Sequence, residues 1–219
     1  SVDITSSDLE LGADDPPPDG VNSPGDGPLL IGIRWTDLDI PRRATITNAY
    51  VQFEVNEEDK SFAFPGEDGS SVLVIAAISV VGQLDPNPNT FEAVPFNISQ
   101  RPETSSRVQW NNIPDWWPIG GPPPVDPSGP DQRTPDLSPI IQEIVDQPGW
   151  TAGNPLVLMF VPKFYNFNRT AHSWDTADSN EPGVNTGPLL HIEWVPEPAT
   201  AVLASLCIGG LAGVRRRRV

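Results

Sequence analysis

Hydrophobic and polar positions alternate in several short runs of the chain. In Leu30–Trp35, the apolar residues Ile31, Ile33 and Trp35 fall on one face. Thr45–Asn56 has the same period, and its apolar face consists of Ala49, Val51, Phe53 and Val55. A period of two residues is typical of half-buried β-strands. Further strands are predicted over Val2–Leu11, Val72–Val81, Phe91–Ile98, Ser106–Trp110, Pro155–Val161, Thr170–Trp174 and Leu189–Trp194.

One segment has the period of a helix instead. Thr134 supplies a capping hydroxyl, Pro135 suits the first helical position, and Asp136 suits the positive end of the helix. The apolar stripe that follows consists of Leu137, Ile140, Ile141, Ile144 and Val145. Pro148-Gly149 would end the helix.

The order of these elements predicts the fold class. The 27 prolines and 18 glycines lie mostly in loops between short apolar segments, so the chain is expected to be globular rather than disordered. Many short strands with one connecting helix predict an all-β fold, a two-sheet antiparallel β-sandwich of jelly-roll type. We expect this domain to occupy residues 1–194.

The charge narrows the range of partners. Residues 1–198 hold all 29 acidic residues and 9 of the 13 basic ones, because the remaining four are Arg215–Arg218. So acidic a domain repels nucleic acid and anionic membranes but attracts divalent cations. The single cysteine, Cys207, lies in the C-terminal segment, so the domain has no disulfide. The chain begins at Ser1 rather than Met, and we expect either a removed signal peptide or a fragment of a longer protein.

Few residues suit catalysis. His172 and His191 are the only histidines, no nucleophile elbow is present, and no histidine or cysteine spacing predicts zinc. Both histidines have a structural interpretation, on or beside a strand. A glycoside hydrolase needs only two carboxylates about 5–10 Å apart, and the composition leaves that class open. We nevertheless predict that the protein is not an enzyme.

Calcium is the expected cofactor because it binds carboxylate, amide and carbonyl oxygens. Asp8 and Glu10 share a strand face, Glu57 lies in an acidic run at a strand end, and Asp175 follows Trp174. These four acids are the candidate ligands. A solvated acidic surface is the alternative for each of them.

Tryptophans supply a candidate ligand-binding site. Trp35, Trp110, Trp150 and Trp194 occupy positions that core packing explains. Trp116 and Trp117 are adjacent in a proline-rich loop, where both rings cannot easily point inward. We therefore take this pair as the candidate platform for a sugar ring, with coverage of the sandwich end as the alternative.

The C-terminal segment predicts where the protein goes. Val195-Pro196-Glu197-Pro198 precedes an uncharged stretch from Ala199 to Val214 and then Arg215, Arg216, Arg217 and Arg218. A helix over the 16 uncharged residues would be about 24 Å long, short of the ~30 Å hydrocarbon core but able to span it with thinning. The arginines would stay in the cytoplasm, so the domain would lie outside.

This order of motifs resembles the PEP-CTERM sorting signal of Gram-negative bacteria. The resemblance implies transient insertion in the inner membrane, an exosortase-type processing enzyme as a partner, and delivery to the cell surface or extracellular matrix. Residues 195–219 would then be a sorting signal with a C-terminal hydrophobic helix.

A second resemblance covers most of residues 6–194. Ser6-Ser7-Asp8-Leu9-Glu10-Leu11, Gly32-Ile33-Arg34-Trp35, Val108-Gln109-Trp110 and Pro188-Leu189-Leu190-His191-Ile192-Glu193-Trp194 resemble a carbohydrate-binding-module-like β-sandwich found in bacterial surface proteins. Such modules are non-catalytic, and calcium sites are frequent in them. Here only Ser1–Thr5 precede the first motif, so a shortened first strand would leave a sheet edge open to pairing.

These observations favour a non-catalytic, exported protein with a structural, adhesive or self-assembling role, stabilised by calcium. Copies of the same chain and extracellular polysaccharide are the expected partners. The alternative is a carbohydrate-binding module that recognises that polysaccharide, and a carboxylate-dependent glycoside hydrolase is a third class.

Overall fold

The computed structural model describes residues 2–6, 8–13, 28–61, 64–65, 71–72, 76–118, 120–163, 167–173 and 187–197. The strands in chain order are β1 (Asp8–Ala13), β2 (Pro28–Leu29), β3 (Ile31–Trp35), β4 (Thr45–Gln52), β5 (Lys60–Ser61), β6 (Phe64–Pro65), β7 (Ser71–Val72), β8 (Ala77–Gln83), β9 (Glu103–Asn111), β10 (Leu156–Pro162), β11 (Phe167–His172) and β12 (Leu189–Val195). The helix α1 spans Ser138–Val145, and a short 3-10 turn spans Pro130–Gln132.

All pairings between these strands are antiparallel. One sheet has the order β2-β1-β11-β5, a second has the order β3-β10-β8-β9, and β12 pairs with β4, as β6 does with β7. Both four-stranded sheets and β4 contribute to one core. The prediction of an all-β, sandwich-like architecture is confirmed.

Alternation along the strands builds the core, as the sequence pattern predicted. Ala49, Val51, Phe53 and Val55 are all buried. They share one core with Ile78 and Val80 of β8, which belongs to the sheet β3-β10-β8-β9. Trp110 and Trp150 are also buried, whereas Trp35 and Trp194 pack against the core with part of their surface exposed. The core interpretation of these four tryptophans is therefore confirmed.

The outer face of the second sheet is covered as well. Val81, Val157 and Met159 are buried there beneath the partly buried Phe91 and Ile98. The predicted strand Phe91–Ile98 is wrong, because this region is a succession of turns within the loop 84–102. Its apolar residues serve as a lid on β8 and β10 rather than as a further strand.

The helix begins later than predicted, at Ser138. The apolar stripe is confirmed, since all five of its residues are buried. Thr134 does not cap it, because its Oγ1 accepts the N–H of Val51 at 3.0 Å. Asp136 Oδ1 does bind the N–H of Ser138, the first helical residue, at 2.9 Å, and it also accepts the N–H of Ala49 at 3.1 Å. The segment before α1 thus covers one edge of β4 with side-chain acceptors.

The other edge of β4 meets two strands in succession. β12 pairs with β4 itself, and β11 continues along the same line, with the N–H of His172 donating to Glu54 O and the N–H of Asn56 donating to Thr170 O. β1 lies beyond β11, with Asp8 opposite His172. The strand predicted from Val2 begins only at Asp8, so it lines β11 but not β12.

Two expectations lie outside the described residues: the hydrophobic helix over 199–214 and the four arginines after it. Within the described part of the chain, no helix has the length and apolar character needed to cross a membrane.

Candidate functional site

The predicted calcium ligands of β1 have protein partners. Asp8 Oδ1 accepts the hydroxyl of Ser6 at 2.7 Å, and Glu10 Oε1 lies 3.5 Å from Nδ2 of Asn168 on the neighbouring β11. Glu57 is exposed after Asn56, and Asp175 lies outside the described residues. Across the ranges that the structure describes, no three acidic, histidine or cysteine side chains gather in a metal-binding group. Calcium binding therefore stays a prediction.

The tryptophan pair divides into two different environments. Trp116 is only 3% exposed and packs beside Phe53 and Trp110, with its indole N–H donating to Asp131 O at 3.0 Å. Trp117 is half-buried, and its indole N–H donates to Gly121 O at 3.1 Å. In this structure Trp116 closes the sandwich end, so only Trp117 has surface left for a ligand.

A buried carboxylate explains why the tryptophan loop takes this form. Asp59 is 2% exposed, and its Oδ2 accepts the backbone N–H groups of both Trp116 and Trp117. The guanidinium of Arg169 on β11 lies 3.6 Å from the same oxygen and donates to Asp115 Oδ1 at 2.6 Å. Arg169 also donates to Pro114 O at 2.7 Å. This cluster fastens the loop 113–117 to β11.

The chemistry of Asp59 is that of an enclosed group. Burial raises the pKa of Asp59 to about 6, against the attraction of Arg169 and the two N–H donors. Its Oδ1 has no hydrogen-bond partner among the described residues. A raised pKa is frequent at functional sites, but a carboxyl with so little exposed surface does not reach a substrate. We therefore interpret the cluster as structural.

The loop 84–102 forms an open depression of about 380 Å³, where no functional site was predicted. Arg101 holds it in shape: the guanidinium donates to Gln83 Oε1 at 2.7 Å and to the carbonyls of Asn89 and Thr90 at 2.9 Å. The same group lies 4.3 Å above the ring of Phe91. The depression is therefore preorganised rather than dependent on a ligand for its form.

Phe96 is the unusual residue of this depression. Its side chain is 65% exposed, and its φ of 65° lies in the left-handed region that bulky residues rarely adopt. Polar groups of Asp85, Glu92 and Gln100 line the same depression. An exposed aromatic ring beside amide and carboxylate groups suits a polar ligand with an apolar face, such as a sugar.

The sequence signals for these features were weak. Asp59 belongs to the acidic run that was a candidate calcium site, with a solvated surface as the alternative, and its burial against Arg169, distant in sequence, is visible only in the structure. The apolar residues of 91–98 suggested a strand, which concealed the exposure of Phe96.

The residues of the sorting motif follow the last strand directly. Pro196 and Glu197 come immediately after β12, whereas Pro198, Arg215, Arg216, Arg217 and Arg218 lie outside the described residues. Neither a protein-family model, nor a curated protein, nor a solved structure matches this chain.

Proposed function

We propose that this is an exported, non-catalytic protein of the bacterial cell surface or extracellular matrix, with a structural, adhesive or self-assembling role. The observation that carries the proposal is the junction at Val195. There an acidic, cysteine-free sandwich of proposed jelly-roll type ends, and the PEP-CTERM-like segment begins without an intervening linker. Such a segment would tether the domain outside the inner membrane until an exosortase-type enzyme removes it.

The test is the fate of the full chain in a Gram-negative bacterium that makes an exosortase. We expect the protein in the surface-extracted fraction, with an intact mass that lacks Arg215–Arg218. A Glu197→Ala variant should keep those arginines, whereas Glu193→Ala, an exposed acid on β12, should be processed normally. A cytoplasmic protein of full mass would overturn the proposal.

Calcium is proposed as the stabilising ion, with Asp8, Glu10, Glu57 and Asp175 as its candidate ligands. A bound ion would link acidic strand ends that otherwise repel each other. The measurement is the melting temperature with calcium and with a chelator. We expect a higher value with calcium, and an unchanged value would overturn this part of the proposal.

Carbohydrate recognition is the second candidate, favoured by the exposed Phe96 beside the depression of about 380 Å³. Affinity electrophoresis in polysaccharide extracted from the same bacterium would test it. We expect Phe96→Ala to lose the retardation of the wild-type chain, because the ring would stack on a sugar face. Val125→Ala changes a fully exposed residue of another loop and is the matched control. Equal migration of both variants with the wild type would exclude this site.

A further inference from the structure

The outer edge of β12 presents backbone groups that face away from β4. On its covered side, β4 uses the N–H of Val51, bound to Thr134 Oγ1, and the N–H of Phe53, bound to Gln132 O. Backbone groups of successive residues point to opposite edges of a strand. The intervening Tyr50 and Gln52 therefore direct theirs towards β12.

This alternation fixes the orientation of β12. Leu189 lies opposite Gln52 and His191 opposite Tyr50, so these are the hydrogen-bonded pairs of the ladder. Leu190 and Ile192 consequently turn their N–H and C=O groups to the outer edge. Trp194 does the same, because Ile46 opposite it donates its N–H to Gln142 on the covered side.

β11 and β12 lie one after the other along β4 and the residues that follow it, and β1 covers the outer edge of β11. The equivalent position on the outer edge of β12 lies next to the N-terminal end of β1. β1 pairs with β11 from Asp8 to Gly12, and its N-terminal continuation would run along β12. Residues 2–6 do not form a strand, however, and none of the strands in the described ranges pairs with the outer edge of β12. The edge is thus a template for an added strand.

The sequence of β12 is complementary to itself in the antiparallel direction. A two-fold axis through Ile192 would place His191 opposite the partner's Glu193, Leu190 opposite the partner's Trp194, and Leu189 opposite the partner's Val195. The first pair joins an imidazole to a carboxylate that can accept its hydrogen bond, and the other two join apolar side chains, which are favourable cross-strand combinations. Like charges meet nowhere in this register.

The exposed surface of the strand agrees with this pairing. Leu189 is 62% exposed and Val195 is 48% exposed, although both are large apolar residues at the ends of an edge strand. The whole chain carries a formal charge of −16, and this net negative charge opposes association through most of its surface. A second copy of the same strand would match this combination of exposed apolar residues with a histidine and a carboxylate.

We propose that β12 is a self-association edge, which pairs antiparallel with β12 of a second copy about a two-fold axis at Ile192. The pairing would join the sheets of two molecules into one continuous sheet. It deepens the proposed function by giving the self-assembling role a surface, and its biological meaning rests on that function. The pairing itself is testable without export.

Single-cysteine variants of the full chain test the register. In a Cys207→Ser background, His191→Cys and Glu193→Cys are prepared separately, mixed and oxidised. The proposed register makes His191 and the partner's Glu193 a non-hydrogen-bonded pair, with Cα atoms about 4.5 Å apart, which a disulfide can bridge. We expect the mixed disulfide to exceed each homodisulfide at least fivefold by mass spectrometry.

Arg107→Cys in the same background is the control, since it lies half-exposed on β9, the edge strand of the other sheet. It retains the C-terminal apolar segment, so any association through that segment appears equally in the control. If the yield of the mixed disulfide between positions 191 and 193 is no higher than the yield of the Arg107→Cys homodisulfide, the proposed pairing is overturned. An excess of the homodisulfide at position 191 or at position 193 would overturn the register.

Reversal of the charges gives a second readout. Glu193→Arg should raise the dissociation constant roughly 2–30-fold, because each of the two symmetric pairs loses its carboxylate acceptor. His191→Glu/Glu193→Arg should restore it, because each pair then joins a carboxylate to a guanidinium. A monomeric protein that is still exported and processed would overturn the edge pairing alone. A paired protein that stays in the cytoplasm would overturn the proposed function alone.

Discussion

The two long edge strands of this molecule, β9 and β12, are protected very differently. On β9, the carboxylate of Glu143 from α1 accepts the N–H groups of Ser105 and Ser106, each at 2.8 Å. Glu103 and Arg107 add a charged pair, and β9 itself contains the extra residues, 104–106, where its register with β8 shifts between Val81 and Gln83. These are devices that prevent edge-to-edge pairing.

β12 has none of these devices in the described structure. Its outer edge is regular, its terminal residues Leu189 and Val195 are apolar and exposed, and the carboxylate of Glu193 lies 3.1 Å from the ring nitrogen Nε2 of His191 on the same strand. The irregularity at Glu193/Trp194 comes from an extra residue of β4, Thr47, so β12 itself contains no bulge. Among the described residues, Glu143 covers part of the edge of β9 and no strand covers the outer edge of β12, so we expect β12 to be the edge that pairs.

The largest effect is expected where the sandwich is closed by the Asp59–Arg169 cluster. Arg169→Met should lower the free energy of unfolding by about 3–5 kcal/mol near neutral pH, because Asp59 would remain buried without its countercharge. The measurement is urea unfolding, with Arg107→Met as the control. Arg107 forms an exposed pair, so its loss should cost at most about 1 kcal/mol.

The pH dependence tests the same cluster. The raised pKa of Asp59, about 6, means that the folded state binds its proton more readily than the unfolded state does. Stability from this carboxyl is therefore greatest at low pH and falls as the pH rises from about 4 to about 6. Arg169→Met should accordingly lose less stability at about pH 5 than at about pH 8, and equal losses would contradict the account.

A smaller effect is expected when the closed edge of β9 is opened. Glu143→Ala removes two charge-assisted hydrogen bonds and should lower the free energy of unfolding by about 1–2 kcal/mol. Partial burial acts to raise the pKa of Glu143, but the hydrogen bonds from Ser106 and Ser105 outweigh it and the pKa is lowered. The wild-type advantage should therefore disappear in acid, as the pH falls through that lowered pKa.

Urea unfolding at neutral and acidic pH would measure both parts of this prediction. Asp146→Ala, an exposed acid just after the same helix, is the control. An effect of Glu143→Ala that persists unchanged in acid would show that the edge is not protected by this carboxylate.

The smallest effect on stability is expected at the open edge itself. Leu189→Lys and Val195→Lys alter exposed side chains, so each should change the unfolding free energy by no more than about 0.5 kcal/mol. The same lysines should weaken self-association, since charges on an edge strand oppose pairing. Sedimentation velocity of the double variant would measure this, and unchanged association would contradict the difference between the two edges.

The sequence predicted the strands whose apolar positions alternate, because period-two burial determines them directly. It predicted the apolar stripe of α1 because the buried face of a helix repeats about every 3.6 residues. It misplaced the helix start, since Thr134 and Asp136 are equally good acceptors for a helix terminus and for the N–H groups of a neighbouring strand. Phe91–Ile98 failed because apolar residues that cover a sheet have no period of their own.

The candidate sites were less predictable than the fold. The burial of Asp59 depends on Arg169, and the capping of β9 depends on Glu143, and both are contacts between residues far apart in sequence. The possibility of an open edge came from the short segment before the first motif. Which strand it would expose depended on the register of β1, β4, β11 and β12.

Amide hydrogen exchange along β12, measured at low and high protein concentration, tests the central claim most directly. The N–H groups of Leu189, His191 and Glu193 face β4 and should be protected at both concentrations. Those of Leu190, Ile192 and Trp194 face the open edge and should gain protection only when the protein is concentrated. Protection of these three amides that does not depend on concentration, or that is absent throughout, would contradict a strand that pairs with its own copy.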